Sequence, residues 1–138
     1  MTGSASSSGA SSASGLPEVH ERLKQILAPY RTRLHVAADG PGGMTLELPE
    51  YKGQPWGFAA ATRLGKRYVS FYLMGVYGSD DVAATISPEL KRRMQGKSCF
   101  NFTRIDEGLF RELEALTALS IDRQPAITAA ALKAKPRR

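Results

Sequence analysis

Between two stretches of alternating apolar residues lies Asp39-Gly40-Pro41-Gly42-Gly43, a composition that leaves the backbone few options. Such residues disfavour both helix and extended pairing and mark a reversal of the chain. Before it, Leu34, Val36 and Ala38 alternate with polar or small residues; after it, Met44, Leu46 and Leu48 repeat the pattern. Side chains of a strand point to opposite faces in turn, so each stretch reads as a strand with one apolar face. Strands joined by so short a turn run antiparallel, because a parallel pair needs a long crossover. The glycines are therefore a hairpin turn. No helix and no P-loop lysine follow them, as a phosphate-cradling loop would require.

A second pair is expected from Pro55 to Arg63 and from Arg67 to Tyr77, turning through Leu64-Gly65-Lys66. The latter run is rich in aromatic and β-branched residues, which suit a pleated surface. A fifth strand is expected over Lys97 to Thr103. Around these lie three helical patterns. Val19, Leu23, Ile26, Leu27 and Tyr30 recur at helical spacing after Pro17, and Pro29 should end that helix. Ser87-Pro88-Glu89 reads as the cap and first turn of a short helix to Gln95, stopped by Gly96. Asp106 can cap a last helix carrying Leu109, Leu113 and Leu116. The order α-β-β-β-β-α-β-α predicts an α+β two-layer sandwich: an antiparallel sheet of about five strands with helices packed on one face.

The chain has 138 residues, enough for one domain, and no run approaching the roughly 18 apolar residues of a membrane span. Its formal net charge is +6, but four of the cations, Lys133, Lys135, Arg137 and Arg138, fall in the last six residues. The rest is nearly balanced. Three segments are expected: a disordered Ser/Gly/Ala arm over residues 1–15, the α+β domain over 16–123, and a basic Ala-rich tail over 124–138. The arm lacks the basic start and apolar centre of a signal peptide. The tail, with Lys91-Arg92-Arg93, implies at most weak and salt-sensitive contact with nucleic acid. One cysteine, Cys99, cannot form an internal disulfide and fits a reducing cytosol.

The segment Ile86-Ser87-Pro88-Glu89-Leu90-Lys91-Arg92-Arg93-Met94-Gln95-Gly96-Lys97-Ser98-Cys99-Phe100-Asn101-Phe102, together with Tyr51-Lys52-Gly53 and Tyr68-Val69-Ser70-Phe71-Tyr72, resembles small bacterial proteins of the YdhG-like family. The resemblance covers roughly residues 18–120. It implies a small α+β sandwich, and, because some members are described as frataxin-like iron chaperones, an iron carrier. Iron handling of that kind uses a ridge of carboxylates. The first helix here offers Glu18 and Glu21 against Arg22, Lys24, Arg31 and Arg33, and the other acids are Asp80-Asp81, Asp106-Glu107 and the spaced Glu112 and Glu114. Iron is thus implied by resemblance alone, and no cofactor is expected from the residues.

No catalytic constellation appears. Cys99 is the only thiol and His20 and His35 the only imidazoles, with nothing local to bring them together. Metal-ligand spacings are absent. Strand parity is more informative. Val69, Phe71 and Leu73 share one side of their strand, and Phe100 and Phe102 one side of theirs; these are assigned to the helix-packed core. The opposite face then gathers Tyr68, Ser70, Tyr72, Cys99, Asn101 and Thr103, with Trp56 nearby and Lys97 at its edge. Tyrosine and tryptophan combine an apolar body with a polar tip, which suits a ligand groove or a partner surface. The expectation is a binding module for an unknown small molecule or protein, with no membrane partner and no enzyme activity.

Overall fold

The computed structural model describes residues 15–134. The expected arm, Gly15 aside, and residues 135–138 of the expected tail lie outside them. Helix α1 spans Leu16–Leu27, with Pro17 and Glu18 in its first turn, where a missing N–H costs nothing and a carboxylate meets the positive helix end. Val19, Leu23, Ile26 and Leu27 form its buried stripe. Pro29 falls in the 3-10 turn Ala28–Thr32 that ends it.

Strands β1 (His35–Gly40), β2 (Gly43–Glu47), β3 (Phe58–Leu64) and β4 (Val69–Leu73) follow as antiparallel neighbours. The chain then forms α2 (Met74–Gly78), α3 (Asp80–Ala83) and α4 (Pro88–Lys91), and a hairpin of β5 (Met94–Gln95) and β6 (Cys99–Phe102). Helix α5 (Glu107–Ala134) closes the fold. The sheet has six strands in the order β1-β2-β3-β4-β6-β5, and the architecture is the α+β sandwich expected. The register of β1 on β2 shifts between Val36 and Ala38, which places a bulge in the first edge strand.

The core lies between the helices and one sheet face. Val69, Phe71, Leu73, Phe100 and Phe102 are buried there, and Phe110 of α5 meets Phe102 edge-on with ring centroids 5.0 Å apart. Arg22 of α1 joins the helix layer to α5: its guanidinium donates to both carboxylate oxygens of Glu107, at 3.0 and 2.7 Å. That hold keeps the Glu107 carboxyl below its usual range.

Three expectations about element bounds need correction. The run Arg67–Tyr77 is not one strand, because β4 stops at Leu73 and the backbone coils into α2. The helix expected to Gln95 stops at Lys91, since Met94 and Gln95 pair with Phe100 and Cys99 around Gly96, whose φ of 81° is the left-handed value a glycine adopts readily. That hairpin supplies the sixth strand. The boundary at 123/124 also fails. Helix α5 continues through Pro125 to Ala134, and its residues Thr117, Ser120, Gln124 and Thr128 form a buried polar stripe. Gln124 Nε2 donates to Phe58 O at 3.4 Å and to Thr128 Oγ1 at 3.0 Å, so residues 124–134 belong to the folded body.

One buried polar contact has a pH consequence. His20 is 1% exposed, and its Nε2 lies 2.8 Å from Thr62 Oγ1. Burial first, and the Lys24 charge second, push its pKa below the ordinary value. The unfolded chain therefore takes up a proton that the folded chain resists. The stability that the neutral His20 ring contributes is complete above about pH 6.5, the free-histidine value, and declines as pH falls below it. Urea midpoints measured from pH 7.5 down to pH 5 should show that decline, and His20→Gln should flatten it.

Candidate functional site

The face opposite the helices is built by register. One row runs Thr45, Ala61, Tyr72, Cys99, Gln95 across β2, β3, β4, β6 and β5; the next runs Gly43, Arg63, Ser70, Asn101. Alternation along β4 and β6 places these side chains away from Phe71 and Phe100. Tyr68, Ser70, Tyr72, Cys99 and Asn101 thus share the face not packed by helices. Thr103 lies just beyond β6 and is exposed.

The polar groups there are mutually satisfied. The Ser70 hydroxyl donates to Asn101 Oδ1 at 2.7 Å, the Cys99 thiol approaches the same oxygen at 3.4 Å, and Asn101 Nδ2 donates to Gln95 Oε1 at 2.7 Å. Asn101 is therefore a buttress whose carboxamide oxygen already serves two donors. Ser70 is 6% exposed and retains only its oxygen lone pairs for a further partner. Tyr72 is half-buried and meets Phe58 edge-on, centroids 6.4 Å apart at 71°. Tyr68 is 38% exposed.

Beside this network the β3–β4 turn walls a groove of ≈ 690 Å³, which Arg63, Lys66, Arg67, Tyr68, Ser70 and Tyr72 line. The cations of this wall are functional candidates that the sequence reading did not single out. Only the pairing Arg63↔Ser70 shows that Arg63 shares the tyrosine face.

Two expected site residues fall elsewhere. Trp56, 45% exposed, sits in the 3-10 turn Pro55–Gly57 that precedes β3, so strand alternation does not govern it. It lines a separate apolar hollow of ≈ 760 Å³ with Met74, Tyr77, Ile127 and Leu132. Lys97 lies in the β5–β6 turn and lines a third hollow, of ≈ 620 Å³, with Tyr77, Asp80 and Lys91. Neither joins the tyrosine groove.

The imidazoles stand apart from the thiol. His20 is buried on the helix side against Thr62, and His35 is on edge strand β1, separated from β6 by three strands. Among the described residues no group of three or more His, Cys, Asp or Glu side chains could hold a metal ion. Several carboxylates already have structural partners. Asp39 pairs with Lys24 and Arg31, Glu107 with Arg22, and Glu112 accepts from the Ser87 backbone and hydroxyl. Asp106 caps α5 through Leu109 N. These four carboxylates are thus engaged within the fold. No helix among the described residues is long and apolar enough to cross a membrane.

Fold and site together define an open-faced α+β sandwich with a tyrosine-walled groove on its strand side. No protein-family model matches the chain, and comparisons with curated proteins and with solved structures likewise return no match.

Proposed function

We propose that the chain is a binding module of the YdhG-like type, acting in a reducing cytosol, whose open sheet face takes up a small ligand or a protein partner. The observation that carries this reading is the groove between Tyr68, Tyr72 and the β3–β4 turn, lined by Ser70, whose hydroxyl Asn101 holds from behind the lining. Tyrosine rings give contact area with little loss of rotamer freedom, and a preformed polar floor orients what lies on them. The thiol and imidazoles stand apart, which supports binding rather than covalent catalysis.

The test is thermal unfolding against a panel of small metabolites, run on the native chain and on Tyr72→Ala. A ligand of this face at 100 times its dissociation constant should add about 2.7 kcal/mol to the native chain, a rise of several degrees in the midpoint. The shift should vanish in Tyr72→Ala. A ligand that stabilises both chains equally would place binding elsewhere.

A further inference from the structure

We infer that the groove takes a phosphorylated planar ring: a nucleotide, free or as a unit of a single strand. The inference rests on the open-face reading above and names the ligand class. Arg63, Lys66 and Arg67 are exposed along one wall. The ion pairs among the described residues use Arg22, Lys24 and Arg31 and none of these three. No carboxylate lines the groove. Cations gathered without counter-charge repel one another, and a multivalent anion lying between them relieves that repulsion. Arginine guanidinium adds a planar fork that matches phosphate geometry.

The other groups specify what carries the phosphate. Tyr68 and Tyr72 offer ring surface on the same groove, and every nucleobase has a face that stacks on an aromatic ring. Ser70 has given its hydroxyl hydrogen to Asn101, so its oxygen is left as an acceptor, suited to an exocyclic amino group. The groove volume of ≈ 690 Å³ suits a ligand of nucleotide size rather than a bare phosphate.

The experiment is calorimetric titration of the full chain with adenosine 5′-monophosphate, adenosine, inorganic phosphate and a single-stranded eight-residue oligodeoxyadenylate. Adenosine monophosphate should bind, and adenosine should bind at least about tenfold more weakly, the ratio expected for losing one charge-assisted contact. The triple variant Arg63→Ala, Lys66→Ala, Arg67→Ala should lose at least that factor, and Lys52→Ala, a cation outside the groove, should lose none. Comparable affinities for monophosphate and oligonucleotide identify a free nucleotide as the ligand. Much tighter oligonucleotide binding, with a log–log salt slope of about −2 for three phosphate contacts, identifies a single strand. Equal affinity for adenosine and its monophosphate, or an unaffected triple variant, overturns the inference. So does the absence of binding by every phosphorylated probe. If an uncharged ligand nevertheless depends on Tyr72, the open-face reading survives this failure; if no panel compound responds to Tyr72→Ala, the small-ligand form of that reading falls with it.

Discussion

Gly75→Ala should lower the thermal midpoint by roughly 10 °C, the equivalent of about 3 kcal/mol in a domain of this size. Helix α2 crosses α5 at this point with no room for a methyl group. A Cβ on Gly75 would collide with Ser120 Oγ, lie 2.6 Å from the Ser120 carbonyl oxygen and lie 3.0 Å from its Cα. A rotamer change can move the hydroxyl, but the carbonyl belongs to the α5 backbone. Ser120→Ala in the Gly75→Ala background should therefore recover only part of the loss. Full recovery would show that the hydroxyl alone made the conflict; no loss in Gly75→Ala itself would show that the two helices separate readily. Chemical denaturation with an unchanged m-value checks that stability, rather than compactness, has changed.

A chain ending at Arg123 should be destabilised by a similar amount, about 3 kcal/mol, since it loses apolar cover over α2 and the two hydrogen bonds of Gln124. The missing segment contains buried Gln124 and Thr128 and the half-buried Ile127 and Leu132. It also forms one wall of the hollow beside Trp56 and Tyr77. Trp56 fluorescence should shift to the red in the shortened chain. A basic appendage independent of the fold would leave both midpoint and emission unchanged, and that result would restore the boundary expected from composition.

The fold was largely legible because its signals are local. Alternation in residues 34–48 and the glycine turn specify a hairpin on their own. Pro17, Pro29, Ser87 and Asp106 mark helix ends through the geometry of caps and proline rings. The errors arise where tertiary contact decides. Met74-Gly75-Val76-Tyr77 continues the β-prone composition of β4, yet coils because Gly75 can seat against Ser120. The second half of α5 was missed because its buried face carries Thr117, Ser120, Gln124 and Thr128, at helical spacing but polar. A search for apolar periodicity alone does not see such a stripe.

The candidate site was legible in part for the same reason. Parity along β4 and β6 is a local property, and it places Tyr68, Ser70, Tyr72, Cys99 and Asn101 on one face. Arg63 joins them only through the β3–β4 register, which no single strand reveals. Trp56 and Lys97 lie in turns, where alternation says nothing about direction.

The two borders of the sheet differ in form but have one effect. An uncovered row of backbone amides and carbonyls at a sheet border is a template on which another chain can polymerise. On β1 the bulge between Val36 and Ala38 breaks that row, and Lys24 and Arg31 clamp Asp39 beside it. On the far side β5 offers two residues, Met94 and Gln95, too few to nucleate a fibre. The sheet can thus leave a broad strand surface bare while resisting growth into aggregates at its margins.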